Sequence, residues 1–362
     1  MKAQVRPRAR RRRRLFQVLA TVLGSLLALA SVEVVLRNVD VVGRNYPLEF
    51  GTYMREATRF AWGDGQPKEA DLDGYLFRSR PNLDMDLGSF RLQTNEYGFR
   101  GPGVQVPKPD GVFRILLLGD SVAFGWGVDD GVTFARRLEM EWNARGGARR
   151  LEVVNTGNPI YDTVQEAATL KETLPLLTPD LVVLVYVVHD IEPSRDLVEA
   201  LFQGAKPIPA EVVELPDDAW IRCARWIEPV LPSTAEFLRC QSDVNARVLA
   251  TLPPGAEYKP EGWGKGPRGW VRSKKALVDI RDLCISASVP LLVCDHSQPP
   301  VTALPDFCRA QGIAYAPLRF SEDDYRSGIA LSLMDAHANA RGHGILLENL
   351  RRELLERKLL PE

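Results

Sequence analysis

Val112–Ser121 reads VFRILLLGDS: seven residues, apolar except for Arg114, run directly into glycine, aspartate and serine. An apolar run of this kind is typical of a strand that is buried on both faces of a parallel sheet. A second such run, LVVLVYVV, occupies Leu181–Val188. Segments in which apolar residues recur at helical spacing lie between and after these runs. The pattern predicts an α/β fold.

The rest of the chain continues this alternation of strands and helices. Further strands are predicted at Leu151–Val154, Pro290–Cys294 and Ile313–Ala316, and helices at Thr133–Asn143, Thr163–Leu174, Lys274–Ser286, Pro305–Gln311 and Asn339–Arg357. The expected architecture is a flavodoxin-like three-layer α/β/α sandwich with a central parallel sheet of about five strands. Because ligands bind at the carboxyl ends of such strands, chemistry is expected at that edge of the sheet.

The N-terminus predicts a membrane segment outside this fold. Residues 1–14 contain one lysine, seven arginines and no acid, and the 22 residues Leu15–Leu36 are almost wholly apolar. A helix of this length measures about 33 Å and can cross the hydrocarbon core. The basic tail predicts a single-pass anchor with a cytoplasmic N-terminus and an extracytoplasmic body. The alternative is a signal segment that is cleaved before Ser31.

The sequence after the membrane segment divides into three parts. Residues 37–110 form an extension rich in glycine, proline and aromatic residues, and residues 111–360 form the α/β domain. The alternation of strands and helices stops at about 191–271, a proline-rich insertion that we expect to be a lid or a substrate-facing subdomain. This insertion contains four tryptophans, Trp220, Trp226, Trp263 and Trp270.

Charge and cysteine content exclude several functions. The chain has 46 basic and 47 acidic residues, and eight of the basic ones lie in residues 1–14, which leaves a mildly acidic body. A nucleic-acid-binding surface is therefore not indicated. The five cysteines are scattered without the CxxC spacing of a metal site, so no bound metal is expected.

Two polar motifs, one directly after the first strand and one directly before the last helix, can carry acyl-transfer chemistry. Ser121 follows a buried strand directly, which suits a nucleophile on a tight strand-to-helix turn, although a serine there can also be a plain helix N-cap. Asp335 and His337 precede the last helix, and a carboxylate beside a histidine can orient it as a general base. The other candidate base is His296, after the fourth strand, whereas His343 is expected to pack within the last helix.

Two further loops follow predicted strands. The loop Asn155–Ile160 can direct a backbone N–H at a developing oxyanion. The pair His189-Asp190 ends the run at Leu181–Val188 and would project into the same region. Each of these loops could equally be an ordinary turn.

Taken in order, these motifs resemble the SGNH/GDSL hydrolase superfamily, in particular its bacterial members with an N-terminal membrane segment. The similarity covers roughly Phe99 to the C-terminus apart from the insertion. The segments that carry it are Asn95–Arg100, Phe113–Ser121, Gly125–Val128, the loop from Asn155, Pro179–Leu184 and Asp335–His343. Several motifs in the right order are far more specific than any one of them.

The resemblance implies Ser121 as nucleophile, His337 as base and Asp335 as its partner. It also implies an oxyanion hole formed by the Ser121 N–H, Ile160 and His189. The sequence departs from the family at Ile160, where the family has glycine, and at His189, where it has asparagine. The Asp-to-His spacing is two residues, as in polysaccharide O-acetyltransferases of the superfamily, and Ala338 follows the histidine in place of proline.

The sequence therefore predicts a serine-dependent ester hydrolase, an esterase or deacetylase, that needs no cofactor. Acylated envelope glycan or lipid at a bacterial inner membrane is the expected substrate, and no protein partner is indicated. One alternative is an O-acyltransferase that acts on a polysaccharide hydroxyl. The other is a non-catalytic, envelope-bound carbohydrate-binding module with a decayed site, since Ile160 and His189 both depart from the family pattern.

Overall fold

The computed structural model describes residues 7–39, 43, 45–61, 74–191, 219–239, 268–298, 300–332 and 335–361. Most of the predicted insertion, including Trp263, lies outside these residues. The described residues form two compact units.

The helices and strands have the following bounds. The helices are α1 (Pro7–Asn38), α2 (Tyr46–Thr52), α3 (Ser121–Phe124), α4 (Phe134–Asn143), α5 (Thr163–Leu177), α6 (Ala219–Ile227), α7 (residues 232–239), α8 (Arg268–Ser286), α9 (Ala303–Ala310), α10 (Glu322–Arg326) and α11 (Ala340–Glu356). The strands are β1 (Thr58–Phe60), β2 (Phe77–Ser79), β3 (Asp84–Asp86), β4 (Arg91–Gln93), β5 (Val112–Gly119), β6 (Arg150–Asn155), β7 (Leu181–Tyr186), β8 (Leu291–Asp295) and β9 (Ala314–Pro317). Single turns of other helix types occur at Tyr53–Ala57, Asp130–Val132 and Val188–Ile191. One unit contains α1, α6 and α7, and the other contains the strands and the remaining helices.

The central sheet has five parallel strands in the order β6-β5-β7-β8-β9. Helices α5, α8 and α9 pack on one face and α4 and α11 on the other, each over its own apolar core. The predicted three-layer α/β/α sandwich is therefore confirmed. Strand β5 lies between β6 and β7, so the loops after these three strands meet at one edge of the sheet.

The polar residue in the first apolar run is accommodated inside the fold. Arg114 is fully buried, and its guanidinium group donates to Glu152 at 2.5 Å and to the carbonyls of Leu177 and Gln105, both at 2.7 Å. Because its charge is paired and its donors are used, Arg114 can lie in a buried strand.

Strand β7 ends at Tyr186, two residues earlier than its apolar run predicts. The Asp190 carboxylate accepts the Val187 N–H at 2.9 Å, and the chain turns there into the helical turn Val188–Ile191. This local side-chain hydrogen bond competes with the strand pattern, which apolar residues alone cannot reveal.

Helix α1 contains the predicted membrane segment. Arg12–Asn38 contains an 18-residue window with a mean hydropathy of 2.2, and 6% of that window is buried. It is long and apolar enough to cross a membrane, as is a signal segment.

Much of the predicted extension folds against the sheet-containing unit. Helix α2, the turn at Tyr53–Ala57 and the β1–β2 hairpin contribute to an apolar cluster that also includes Phe124 and Trp126. Strands β3 and β4 pair as a second hairpin. Residues 45–61 and 74–104 therefore form part of the structure around the Ser121 turn.

Candidate active site

Ser121 lies on a tight turn between strand β5 and helix α3. The turn depends on Gly119, whose φ of +147° places a would-be Cβ 2.6 Å from the Ala123 side chain. Asp120 caps the helix, since its carboxylate accepts the Val122 N–H at 2.8 Å. Ser121 is the first helical residue, so its N–H has no partner within the helix. Ser121 thus offers a partly exposed hydroxyl and a backbone N–H at the sheet edge.

His337 connects Ser121 to Asp335 in a chain of hydrogen bonds. Its Nε2 lies 2.8 Å from Ser121 Oγ, and its Nδ1 lies 2.5 Å from Asp335 Oδ1. The Asp335 side chain is nearly buried, whereas the His337 side chain is one-fifth exposed. An acceptor at Nδ1 favours the tautomer that leaves the Nε2 lone pair facing the serine hydroxyl. This arrangement can remove the Oγ proton as the oxygen attacks a carbonyl carbon.

The spacing of two residues between Asp335 and His337 serves this geometry. Asp335 Oδ1 accepts the His337 backbone N–H at 3.0 Å as well as the ring N–H, so one oxygen fixes both the turn and the imidazole. The turn is also held from the other side, because the His337 carbonyl accepts the Leu331 N–H at 2.9 Å. The backbone that carries His337 is therefore held on both sides.

The other predicted histidines do not contact Ser121. His296 Nδ1 bonds to the Leu318 carbonyl at 2.6 Å, and burial lowers its pKa. His343 lies buried in α11, stacks on Phe134 and accepts the Phe134 N–H through Nδ1 at 3.3 Å. Burial lowers the pKa of His343 to about 3, so this ring stays neutral. Among the described histidines, His337 is the one placed to act as base.

Arg100, from the segment Asn95–Arg100, holds the loop that follows the nucleophile. Its guanidinium group donates to the carbonyls of Phe124 at 3.0 Å, Gly125 at 2.6 Å and Val128. The side chain is buried, and burial lowers its pKa to about 10. Three carbonyls beside Ser121 are thus tied to one rigid cation. Sequence reasoning quoted this segment but assigned Arg100 no role.

Ile160 has the backbone conformation that the family's glycine would provide. Its φ is +61°, in the left-handed region. Within the described residues, its N–H makes no hydrogen bond, as an oxyanion donor requires. The loop approaches helix α3 closely, because a Cβ on Gly157 would lie 2.7 Å from the Phe124 nitrogen. That Ile160 belongs to the oxyanion hole stays a prediction.

His189 lies in the helical turn after β7, with its side chain exposed. Asn155 and Asn158, the alternative donors in this region, are buried, and their amide groups donate to the carbonyls of Ala123 at 2.7 Å and Thr156 at 3.2 Å. His189 is thus the more accessible polar side chain. Its role as third donor remains a prediction.

Aromatic side chains beside the triad were not anticipated from the sequence. The Tyr46 ring, from α2, lies 5.8 Å from the His337 ring and 6.1 Å from that of Trp126. The Phe50 ring lies 5.7 Å from that of Trp126 and 6.4 Å from that of Tyr46, so the three rings form one cluster. Burial raises the pKa of Tyr46 to about 12, and the Asp335 and Asp120 carboxylates add to the rise. No motif marks Tyr46, because its position depends on how the extension folds back.

Two carboxyl groups lie buried behind the Ser121 turn. Both carboxyl oxygens of Glu166 are buried and have no hydrogen-bond partner among the described residues. Asp190 Oδ1 is also buried and has no hydrogen-bond partner among them. Burial raises the pKa of each group well above its ordinary value; repulsion from Asp120 and Asp162 adds to the rise for Glu166, and repulsion from Glu166 and Asp120 adds to it for Asp190. Both groups are therefore expected to resist ionisation.

The described residues contain no group of three or more histidine, cysteine, aspartate or glutamate side chains that could hold a metal ion.

No protein-family model and no curated protein matches the sequence. Several solved structures resemble the chain. One is LAE5, an alpha/beta hydrolase from the metagenome of Lake Arreo, Spain, at 14% identity over 69% of this chain and 97% of that chain, with a TM-score of 0.39. A second is the psychrotrophic esterase EstA from Pseudoalteromonas sp., at 8% identity over 68% of this chain and 99% of that chain, with a TM-score of 0.40. A third is AlinE4, an SGNH-hydrolase family esterase, at 13% identity over 69% of this chain and 98% of that chain, with a TM-score of 0.31.

The solved structures that resemble this chain thus include hydrolases of the SGNH family. At these identities and TM-scores, the activities of those proteins are not transferred to the chain. The roles assigned below rest on the geometry of its own residues.

Proposed function

We propose that this chain is a serine-dependent ester hydrolase, with Ser121 as nucleophile, His337 as general base and Asp335 as the group that orients His337. The observation that carries the proposal is the unbroken hydrogen-bonded chain from Ser121 Oγ through His337 to Asp335. A decayed site would have no reason to retain this chain of bonds together with the Arg100 contacts beside it.

The reaction proceeds by acyl transfer through a serine ester. Ser121 Oγ attacks the ester carbonyl while its proton passes to His337 Nε2, and the Asp335 carboxylate stabilises the imidazolium that forms. The backbone N–H groups of Ser121 and Ile160, with His189, hold the oxyanion. The intermediate expels the alcohol, which takes the proton from His337. Water then attacks the acyl group, with His337 again as base, and releases the acid.

The substrate class follows from location. Helix α1 and the eight basic residues before Leu15 support a body tethered outside the cytoplasmic membrane of a bacterium. Acylated envelope glycan or lipid is the ester within reach of such a body. The aromatic side chains of Tyr46, Phe50 and Trp126 favour an apolar acyl group beside His337.

Labelling with a fluorophosphonate probe and turnover of p-nitrophenyl acetate test the assignment. We expect Ser121→Ala and His337→Ala each to reduce turnover by roughly three orders of magnitude and the double variant to be little worse, because the two residues act as a unit. Asp335→Asn should reduce turnover less than His337→Ala does, since it moves no proton in this mechanism.

The matched control is Ser286→Ala, which removes a surface hydroxyl that bonds only the Asp282 carbonyl. Wild-type labelling of Ser121→Ala would disprove the assignment, as would additive losses in the double variant. Adding an oligosaccharide acceptor during turnover distinguishes hydrolysis from transfer, because transfer yields an acylated sugar in place of free acid.

A further inference from the structure

Helix α1 is exposed along its length except at one place near its C-terminal end. Within residues 12–39, Glu33 and Leu36 are the buried side chains. They are three residues apart and therefore lie on one face of the helix. A charged residue in an apolar membrane helix is costly unless its hydrogen bonds are satisfied, so the partners of Glu33 are informative.

Glu33 caps the helix α7. Its carboxylate accepts the backbone N–H of Ser233 at 3.0 Å and both the N–H and the hydroxyl of Thr234 at 2.9 Å. Helix α7 starts at Pro232, which has no N–H, after Leu231, whose side chain cannot cap. The first free N–H groups of α7 thus take their acceptor from α1. Arg37, one turn further along α1, pairs with the same carboxylate at 2.9 Å.

Helix α6 is followed by the short turn 228–231 and then by α7, and an ion pair links α7 to this turn; residues 219–239 are called the hairpin below. The Arg239 guanidinium group donates to both carboxylate oxygens of Glu228, at 2.8 and 2.5 Å. Ile221 and Ala224 are the buried side chains of α6. The Glu33 contact therefore fixes the whole hairpin, and not α7 alone, at the end of α1.

The hairpin exposes large apolar side chains. Trp226, in the last turn of α6, is 84% exposed, and Val230, in the turn that follows α6, is 77% exposed. Arg222 and Arg225 lie on the exposed part of α6. Tryptophan beside arginine is the composition that membrane–water interfaces favour, because the ring enters the interface while the guanidinium group reaches the phosphates.

The position of the hairpin along α1 matches that interface. The exposed apolar surface of α1 continues past Glu33 through Val34, Val35 and Val39, and α1 ends at Asn38. The hairpin is therefore attached where the apolar stretch of α1 ends. A bilayer that surrounds α1 has its surface at this level.

We propose that residues 219–239 form a membrane-surface hairpin, held on the end of α1 by Glu33, with Trp226 and Val230 inserted into the interface of the lipid bilayer. The described part of the insertion, predicted above as a lid or substrate-facing subdomain, is then a second membrane contact. It restricts the tilt of α1 and binds the interface next to the anchor.

Spin labels in the full-length protein in lipid nanodiscs test the membrane contact. The background variant carries Cys223→Ser, which removes an exposed cysteine, and Cys240→Ser, which removes the next cysteine in the sequence. Labels are then placed one at a time by Trp226→Cys, by Val230→Cys and, as a control, by Ile285→Cys. Ile285 is 66% exposed in the other unit. We expect the ratio of collisions with oxygen to collisions with a nickel chelate to be at least about threefold higher at 226 and 230 than at 285, because oxygen partitions into lipid.

Equal ratios at the three positions would overturn the proposal. Protection of positions 226 and 230 from both reagents would also overturn it, since a protein surface and not lipid would then cover them.

The role of Glu33 is tested in the same assay by Glu33→Leu. We expect the ratio at 226 to fall toward that at 285, because α7 loses its cap and the hairpin detaches. Ser31→Leu is the matched control, since it makes α1 more apolar at an exposed position without touching the cap. Thr234→Val removes one of the three capping bonds and should give a smaller shift in the same direction. An unchanged ratio in Glu33→Leu would refute docking through Glu33.

Discussion

Replacing the buried Glu166 by glutamine should make the stability of this protein less dependent on pH. Its two carboxyl oxygens are buried and have no partner among the described residues. Burial and repulsion from Asp120 and Asp162 raise the pKa of Glu166 well above the ordinary value of 4.5. Above pH 4.5, the folded protein therefore keeps a proton on this group that the unfolded chain has released.

The sign and size of the effect follow from this difference in bound protons. Each proton held by the folded state alone lowers the free energy of unfolding by about 1.4 kcal/mol per pH unit. The contribution of Glu166 is therefore most favourable below pH 4.5 and is lost as the pH rises toward the raised pKa. Glutamine never ionises, so Glu166→Gln should reduce the slope of stability against pH by about 1.4 kcal/mol per unit within this window. The pKa of Asp190 is also raised by burial, so Asp190 still contributes its own pH dependence in the Glu166→Gln variant.

The slope of the free energy of unfolding against pH is measured by urea-induced unfolding in detergent, followed by tryptophan fluorescence, at several pH values between 5 and 8. Glu172→Gln is the matched control, because Glu172 lies on the same helix, is half exposed and pairs with Arg78 at 2.8 Å. We expect the stability curves of wild type and Glu172→Gln to run parallel, and the free energy of unfolding of Glu166→Gln to fall less, or rise more, with pH than either, because the histidines contribute equally to all three proteins. Parallel lines for all three proteins would show that Glu166 ionises normally in the folded state.

Three further predictions concern the site itself. Arg100→Met should lower the free energy of unfolding by about 3 kcal/mol in the same urea assay, because it leaves carbonyls beside Ser121 without their donor; a loss below 1 kcal/mol would contradict the role assigned to this residue. Tyr46→Phe should lower kcat/KM for p-nitrophenyl acetate by about tenfold if its hydroxyl bonds the reacting ester, whereas an unchanged value would assign the ring a packing role only. His189→Ala should lower kcat by about two to three orders of magnitude and His189→Asn should retain most activity, while full activity in His189→Ala would make this residue a bystander.

The sheet was predictable because its strands are buried on both faces. A strand such as β7, with all six residues buried, must be apolar throughout, and that pattern survives in the sequence without any knowledge of its neighbours. The folding of residues 45–61 and 74–104 around the nucleophile turn was not predictable in this way. Their contacts are aromatic and long-range, as in the 5.7 Å approach of Phe50 to Trp126, and such contacts leave no periodic pattern.

The residues of the candidate site likewise fall into those that a short sequence motif indicates and those that only the folded chain reveals. Ser121, Asp335 and His337 could be proposed from the sequence because acyl-transfer chemistry requires particular residue types in short motifs, and the structure places their side chains within hydrogen-bond distance. Tyr46 was missed because any position in an aperiodic extension can carry a tyrosine, and only the folded chain places its ring 5.8 Å from that of His337. Glu166 was missed because a glutamate in an amphipathic helix normally faces water, and only burial reveals otherwise.

Ile160 shows how the fold can replace a residue preference. A β-branched side chain in the left-handed region costs about 1–3 kcal/mol, and for that reason glycine is the usual occupant. Here the turn is fixed by its surroundings: the Asn158 N–H donates to the Gly119 carbonyl at 3.1 Å, the Tyr161 N–H donates to the Asn158 carbonyl at 3.3 Å, and the Tyr161 hydroxyl donates to Phe77. Ile160 therefore adopts the φ of +61° with its N–H unbonded within the described residues. Isoleucine at this position is therefore compatible with the proposed role of the Ile160 N–H as an oxyanion donor, and the His189 variants test the other residue proposed to take part in that role.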